Sequence, residues 1–253
     1  MIKAESLVIM PCMDMIAGRV VKGVNFVNIK DAGDPVECCK AYCAAGADEI
    51  AMLDINATVE GRATTLETVR KVAEVATIPF TMGGGISSVK AAEEVLKAGA
   101  NKISTSSAVF RTPDMIGELV REFGAGKVTV AIDVAQNPAM PSNYEVFIDG
   151  GRTATGVDAI EWTKKVNDYG VRTILPTSKS TDGAKTGYDL PLIRAIRAIT
   201  DANIVASGGA GTMEHFVEAA EAGANILLAA SVFHFGIISI PELKAFLKAR
   251  IKS

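Results

Sequence analysis

Residues 98–107 read AGANKISTSS, and residues 222–231 read AGANILLAAS. The two stretches share their first four residues and their closing serine, at a constant offset of 124 residues. The same offset carries Gly84-Gly85 onto Gly208-Gly209 and Gly46 onto Gly170. Such a regular spacing indicates that the chain repeats itself, with one copy in residues 1–124 and a second in residues 125–253.

Each stretch contains a short apolar run, and six further runs of this kind occur along the chain. Together they span residues 7–15, 49–55, 79–84, 102–107, 127–134, 173–178, 203–209 and 226–231. Segments with helical periodicity separate most of them, including residues 35–45, 65–76, 89–98 and 213–222. Eight short strands alternating with helices predict an α/β fold, a (β/α)8 TIM barrel built from two homologous half-barrels. We expect residues 1–253 to form this one domain, because no linker rich in proline, glycine or serine divides them.

Composition narrows the class of protein. Hydrophobic residues make up 49% of the 253 residues and charged residues 22%, which allows a sizeable core and a polar surface. The net charge of −3 gives no argument for nucleic-acid binding, and no apolar run is long enough to span a membrane. The N-terminus lacks secretory signal features, so we expect a cytoplasmic protein. Four cysteines without a matching histidine cluster favour free thiols over a metal site, and we expect no cofactor.

The glycines of each half predict a phosphate cradle. Glycine lets backbone N–H groups approach an anion, the N-terminus of the following helix adds donors, and small residues after the next strand leave room for a phosphate. The first cradle comprises Gly84, Gly85, Ser106 and Ser107, and the second comprises Gly208, Gly209, Gly211, Ala230 and Ser231. Alternatively, the glycines only form tight turns. Two matching sets across one barrel mouth favour phosphate binding, and they predict an elongated bisphosphate as ligand.

Two aspartates are candidates for acid–base catalysis. Asp14 ends the first predicted strand and Asp133 ends the fifth, and active sites of barrels lie at the C-terminal ends of strands. A pair of carboxylates facing a ligand suits general acid–base work, although each could instead cap the following turn. Asp182 follows the sixth strand and either orients a ligand hydroxyl or forms an Asp-Gly turn. Lys22 lies in the loop after the first strand, where it either clamps an anion or is merely solvated.

The motifs that carry these residues resemble one family along nearly the whole chain. They are CMDM (12–15), GRVVKGVNF (18–26), DAGDPVE (31–37), GGGI (83–86), VAIDV (130–134), GGR (150–152), DGAKTGYD (182–189), ASGGAGTMEHF (206–216) and LAASVFHF (228–235). This series resembles the cyclase subunits of imidazole glycerol phosphate synthase, the HisF family. The resemblance implies a lyase of histidine biosynthesis that converts phosphoribulosyl-formimino-AICAR-phosphate and ammonia to imidazole glycerol phosphate and AICAR. It also implies that Asp14 and Asp133 are the acid–base pair and that Lys22 closes over the substrate.

The chain departs from the family pattern around its predicted mouth. After the sixth strand, where the family has Thr-Ser-x-Asp-Arg-Asp-Gly-Thr, the chain keeps Thr177 and Asp182 but lacks the Asp-Arg pair. After the fourth strand, the family's Asn-Thr is replaced by Ser106-Ser107. These changes leave open whether the family's native activity survives.

Further departures lie at the opposite end of the barrel. The family gates an ammonia channel there with a ring of Arg, Glu, Lys and Glu, and the matching positions hold Val8, Glu49, Lys102 and Thr173. An aspartate used for docking a partner is Asn101 here. The resemblance implies a HisH-type glutaminase as partner, and these changes leave open whether that partner supplies the ammonia or whether it is taken free.

The sixth strand carries two further unusual residues. Pro176 removes a backbone donor from a strand with neighbours on both sides, so we expect a bulge there. By alternation Lys179 shares the inward face with Thr177 and Thr173, which would place its ammonium near Asp14 and Asp133. It could pair with an anion, or it could form a Schiff base with a carbonyl substrate. Two alternatives to the cyclase therefore remain: a HisF-derived barrel with carbonyl chemistry at Lys179, and a phosphosugar-binding barrel without turnover.

Overall fold

The computed structural model describes residues 3–24, 27–57, 60 and 65–251, and of residues 22–24 and 27–31 it describes the backbone alone. Its strands are β1 (Val8–Ile16), β2 (Arg19–Val24), β3 (Val27–Gly33), β4 (Ile50–Asp54), β5 (Phe80–Gly83), β6 (Lys102–Thr105), β7 (Val128–Gln136), β8 (Tyr144–Ile148), β9 (Thr153–Asp158), β10 (Thr173–Ser178), β11 (Asn203–Ala206) and β12 (Ile226–Ala229). Its α-helices are α1 (Pro35–Ala44), α2 (Leu66–Ala73), α3 (Val89–Lys97), α4 (Ser107–Arg111), α5 (Asp114–Phe123), α6 (Ala159–Asp168), α7 (Leu190–Arg197), α8 (Met213–Ala222), α9 (Ser231–His234) and α10 (Ile240–Arg250). Single 3-10 turns cover Ala4–Ser6 and Ala125–Lys127.

Eight of the strands close into a parallel barrel. They follow the order β1, β4, β5, β6, β7, β10, β11, β12, and β12 pairs again with β1. The two halves are joined by the pairing of β7 with β10, which runs from Thr129 opposite Thr173 to Val134 opposite Ser178. Each of the eight predicted apolar runs supplies one barrel strand. The predicted (β/α)8 barrel is therefore confirmed.

Two antiparallel hairpins extend the barrel at its C-terminal mouth. Strands β2 and β3 follow β1, and strands β8 and β9 follow β7. Each hairpin leads into a helix through an aspartate: Asp34 and Asp158 accept backbone N–H groups two and three residues further on. An aspartate at this position satisfies donors that the first helical turn leaves without partners. Pro35 then begins α1 at a position where no backbone donor is needed.

The element bounds recur with the offset found in the sequence. Helices α2 and α3 begin at residues 66 and 89, and their counterparts α7 and α8 begin at residues 190 and 213, again 124 residues later. The same holds for β6 and β12, and for the short helices α4 and α9. This agreement supports the proposal that the barrel is a duplicated half-barrel of residues 1–124 and 125–253.

The apolar residues pack as two clusters. The larger lies between barrel and helices and contains the fully buried Phe80 and Phe216. The smaller lies inside the barrel and includes Met10, Leu175 and Leu228. This division follows from the alternation of side chains along parallel strands, one set facing the helices and the other facing the barrel axis. Over the described ranges, no helix is long and apolar enough to cross a membrane.

Pro176 fits into β10 without the bulge expected from the sequence. Thr173 and Ile174 pair with Asn203 and Ile204 of β11, and Thr177 then pairs with Ser207 at the same offset. The expectation of a bulge was therefore wrong. The strand keeps its register past the proline, and only the ladder with β11 is interrupted between Ile174 and Thr177.

Candidate active site

A large cavity opens at the C-terminal mouth of the barrel and has a volume of about 810 Å³. Most of the predicted site residues line it, namely Asp14, Gly84, Gly85, Ser106, Ser107, Asp133, Thr177, Asp182, Gly208, Gly209, Ala230 and Ser231. Gly211 and Lys179 are not among its lining residues. The side chain of Lys22 lies outside the part of the chain that the structure describes. The fold therefore brings both predicted cradles and both aspartates to one cavity.

Close backbone approach explains the glycine pairs of both cradles. Gly84 has a φ of +91°, and a Cβ atom there would lie 2.1 Å from the carbonyl oxygen of Asp54. Gly209 has a φ of +110°, and its Cβ would lie 2.1 Å from the carbonyl oxygen of Gly187. Only glycine combines this conformation with so short a contact. One glycine of each pair thus lets its loop lie close against a neighbouring βα loop.

Two short helices complete the cradles. The residues before α4 and α9, Ser106 and Ala230, share an unusual backbone conformation, with φ/ψ of −137°/−88° and −111°/−78°. Neither helix has a side-chain acceptor at its N-terminus. Their first N–H groups are therefore not satisfied by a cap and lie beside the cavity. This arrangement suits an anion, and it differs from the sequence expectation, which assigned these donors to the longer helices α3 and α8.

The longer helices are already capped by side chains. Ser88 accepts the N–H of Ala91 at the start of α3. At the start of α8, Nδ1 of His215 accepts the N–H groups of Gly211 and Thr212 at 3.1 and 3.3 Å. The donor of Gly211 is thus turned toward His215 rather than the cavity, which corrects its assignment to the second cradle. Glycine is needed there because a Cβ would lie 2.2 Å from the carbonyl oxygen of Lys185.

The two predicted catalytic aspartates differ in their surroundings. Burial, together with the negative charge of Asp182, raises the pKa of Asp133 from 3.8 to about 6, and the positive charge of Lys179 opposes this rise. Asp14 accepts a hydrogen bond from the Cys12 thiol at 3.3 Å. Asp133 therefore exchanges a proton in the range where enzymes need an acid–base group, and the two carboxylates are not equivalent.

Asp182 belongs to the second cradle as well as to the surroundings of Asp133. Its backbone N–H donates to the carbonyl of Ser178 at 3.0 Å, so the loop after β10 turns back on itself. The neighbouring Thr181 hydroxyl donates to the carbonyl of Gly208 at 3.2 Å. A Cβ on Gly208 would lie 3.3 Å from the Cβ of Asp182, so the carboxylate packs against the glycine loop. This placement suits contact with the part of a ligand next to the second phosphate.

Lys179 does not point into the mouth as alternation along the strand suggested. Its side chain is exposed, its ammonium lies 3.8 Å from the ring centroid of Phe147, and its stem lies beside Gly151. The reason is that β10 ends at Ser178, so the strand alternation does not extend to residue 179. An exposed ammonium over an aromatic face is held by a cation–π contact. Nothing in this placement favours a Schiff-base lysine.

Four charged residues that the sequence reading did not single out also line the cavity: Asp54, Arg111, Arg152 and Lys185. Asp54 is buried and ends β4, so its position at the end of a barrel strand was a usable signal. Arg152 closes the Gly150-Gly151-Arg152 motif. Lys185 lies within the DGAKTGYD motif, whereas Arg111 lies in none of the quoted motifs.

At the opposite end, the barrel interior holds a small cavity of about 10 Å³ lined in part by Glu49, Lys102 and Thr173. Lys102 donates to Glu49 at 2.5 Å, while the second carboxylate oxygen of Glu49 is buried without a hydrogen-bond partner. Val8 packs on the cluster inside the barrel. Asn101 accepts the N–H of Phe80 at 2.9 Å, a structural contact within its own half-barrel.

A closed (β/α)8 barrel with paired cradles and recessed aspartates at its C-terminal mouth defines the class of the protein: it is a barrel enzyme. The model of the family described as histidine biosynthesis protein matches residues 8–239, and the chain belongs to that family. A curated relative, imidazole glycerol phosphate synthase subunit HisF of Thermobifida fusca (strain YX), is 47% identical over 245 residues, which cover 96% of each chain. The family resemblance read from the motifs is therefore confirmed.

Proposed function

We propose that this chain is the cyclase of histidine biosynthesis, the lyase that converts phosphoribulosyl-formimino-AICAR-phosphate and ammonia to imidazole glycerol phosphate and AICAR. One observation carries the proposal beyond family membership. Two glycine cradles lie on opposite halves of one mouth, and Asp14 and Asp133 line the same cavity. A substrate with a phosphate at each end matches this arrangement, because its reacting centre then lies between the two grips.

Each phosphate has its own set of donors in this proposal. The first is held by the loop of Gly84 and Gly85 and by the start of α4 with Ser106 and Ser107. The second is held by the corresponding elements of the other half, Gly208, Gly209, Ala230 and Ser231. Fixing both ends orients the substrate over the carboxylates and lowers the entropic barrier to ring closure. Thr177 and Asp182 line the same cavity and are proposed to contact the substrate hydroxyls.

The chemistry requires protons to move in both directions. The nitrogen that enters from ammonia loses protons, while the departing carbonyl oxygen and the nitrogen of the released AICAR gain them. Asp133, with its pKa raised to about 6, can hold and return a proton near neutral pH. Asp14 is proposed as its partner on the opposite half of the mouth, kept in place by the Cys12 thiol. One group then delivers protons while the other removes them.

The source of ammonia is the finer part of the proposal. The relative is described as a subunit, which supports a second chain, and a HisH-type glutaminase is the partner that the family resemblance implies. The N-terminal end of this barrel keeps the Glu49–Lys102 pair, whereas Val8 and Thr173 carry no charge. We therefore propose that the chain acts on free ammonia and gains less from a glutaminase than its relatives do.

Turnover assays test the function directly. The protein is supplied with the formimino substrate and an ammonium salt, or with a HisH-type glutaminase and glutamine, and release of AICAR is followed by chromatography. Asp14→Asn and Asp133→Asn should each lower kcat by at least about a hundredfold, as expected for an acid–base group. Asp168→Asn, which alters an exposed carboxylate at the end of α6, should leave kcat unchanged and serves as control.

Absence of turnover with either nitrogen source would refute the cyclase. If phosphate ligands still raised the melting temperature of the inactive protein, the phosphosugar-binding barrel would be the better description. Labelling of Lys179 by borohydride in the presence of a ketone would instead support carbonyl chemistry.

A further inference from the structure

The charged residues around the mouth raise the question of which cation binds the phosphate at the first cradle. Among the described residues, four carboxylates line the cavity, and the lining cations are Arg111, Arg152 and Lys185. A phosphate carries a charge between about −1.5 and −2 near neutral pH, so a cation beside a cradle strengthens binding beyond the backbone donors. Lys185 precedes the second cradle in the chain, and its backbone lies close to Gly211 in the loop of that cradle. The first cradle therefore depends on the two arginines.

Of these two, Arg111 already has a counter-charge. One of its terminal nitrogens lies 2.6 and 2.8 Å from the two carboxylate oxygens of Asp149. This contact lowers the pKa of Asp149, as expected for a carboxylate beside a guanidinium. Arg152 makes no direct ion pair with a carboxylate in the part of the chain that the structure describes. Its charge lowers the pKa of Asp149 from a greater distance, and one of its terminal nitrogens donates to the carbonyl of Asp149 at 3.2 Å. Its guanidinium carries four further N–H donors, and the residue lines the cavity.

The turn that carries Arg152 is fastened to the first cradle. It joins β8 to β9, and the backbone N–H of Asp149 donates to the hydroxyl oxygen of Ser107 at 2.9 Å. Because Ser107 accepts this bond, its own hydroxyl proton is available to an anion. The Asp149 carboxylate receives the Thr153 hydroxyl at 2.9 Å as well as Arg111. Asp149 itself has a φ of +58°, a conformation that needs such support in a residue other than glycine.

From this geometry we infer that the β8–β9 turn is a part of the first phosphate site. Arg152 supplies its cation, and the Arg111–Asp149 pair is a positioning device that holds the turn against Ser107. The inference rests on the proposed function, since it assigns a ligand group to the first cradle. It also means that the site is built across the two halves, because the cradle belongs to residues 1–124 and the turn to residues 125–253.

Backbone amide NMR with inorganic phosphate as probe tests the site without turnover. The resonances of Gly84 and Gly85 report on the first cradle, and those of Gly208 and Gly209 report on the second. In Arg152→Gln, the apparent Kd at the first cradle should rise about tenfold, as expected for loss of a charge-assisted hydrogen bond, while the second cradle is unchanged. Arg172→Gln removes an exposed arginine at the far end of the barrel and should affect neither.

Arg111 is tested by the same measurement. Arg111→Gln should weaken the first cradle less than Arg152→Gln does, and Arg111→Lys, which keeps the ion pair with Asp149, should restore it. In turnover assays Arg152→Gln should raise KM about tenfold with kcat nearly unchanged, the pattern of lost uniform binding.

An unchanged Kd at Gly84 and Gly85 in Arg152→Gln would overturn the inference even if the wild-type protein turned over substrate. Equal weakening by Arg111→Gln without rescue by lysine would also overturn it, by making Arg111 the direct ligand. Conversely, a wild-type protein that binds phosphate through Arg152 but shows no turnover would refute the proposed cyclase and leave the site standing.

Discussion

Replacement of Asp182 by asparagine should lower the pKa of Asp133. The carboxylate of Asp182 raises that pKa by repulsion, and the amide that replaces it has nearly the same shape but no charge. Lys179→Gln should act in the opposite direction, because Lys179 stabilises the ionised form of Asp133. The two variants therefore form a matched pair with opposite expected signs at one titrating group.

The size of the effect follows from the order of the causes. The pKa of Asp133 lies at about 6 against an ordinary value of 3.8, and burial contributes most, Asp182 next and Lys179 least. The whole rise corresponds to about 3 kcal/mol between the two protonation states, so the Asp182 share is on the order of 1 kcal/mol. We expect the titration midpoint to fall by about one pH unit in Asp182→Asn. The rise in Lys179→Gln should be smaller, about 0.3 pH unit, because the lysine is exposed.

Two measurements give this midpoint independently. The carboxyl carbon of Asp133 can be followed by NMR in aspartate-labelled protein, and the acid limb of the kcat/KM profile reports the same group in the free enzyme. Lys165→Gln, which alters an exposed lysine on α6, is the control for a general change in net charge. Movement of the midpoint in the same direction in both variants would refute the assigned electrostatics. So would an unchanged midpoint in Asp182→Asn.

Three further predictions concern stability. Ionised Asp133 is disfavoured in the folded state above its raised pKa, so Asp133→Asn should raise the melting temperature at pH 8 by roughly 2–6 °C. This gain should shrink as the pH falls below about 6 and vanish below about pH 3, where the carboxyl is protonated in both states. Gly84→Ala should lower the free energy of unfolding by at least about 2 kcal/mol, because its Cβ would lie 2.1 Å from a carbonyl oxygen at a φ of +91°. Urea denaturation that showed no loss of stability would contradict this. Gly126→Ala, with open space around the added Cβ, is the control. Lys102→Met should lower the free energy of unfolding by about 2–3 kcal/mol, because it leaves the Glu49 carboxylate without its cation in the barrel interior. The double variant with Glu49→Gln should recover part of this stability. An equal or larger loss of stability in the double variant would contradict the predicted coupling of the pair.

Many residues that line the cavity could be predicted from the sequence, because local backbone conformation and the ends of the strands determine where they occur. Gly84 and Gly209 occur where a loop must pass close to its neighbour, and each half has such a glycine in its Gly-Gly pair. Asp14 and Asp133 end long apolar runs, and the ends of parallel strands meet at one face. Their lining of a common cavity thus followed from pattern alone.

Other features could not be read from local patterns. Lys179 follows the last residue of β10, so the alternation that aimed it inward had already ended. The N–H of Gly211 donates to Nδ1 of His215 at the first turn of α8, whereas the sequence had suggested a ligand phosphate as its acceptor.

The sequence by itself determined the barrel, its internal repeat, both glycine cradles and the two aspartates, since each depends on hydrophobic period, glycine geometry or strand ends. Only the tertiary structure decided the raised pKa of Asp133, the pairing of Arg111 with Asp149, and the placement of Arg152 beside the first cradle. The physical reason is the separation along the chain over which each effect acts. Backbone conformation and burial follow from residues close in the chain, whereas charges act on whatever closure of the barrel brings near, and that closure joins the β8–β9 turn of one half to Ser107 of the other.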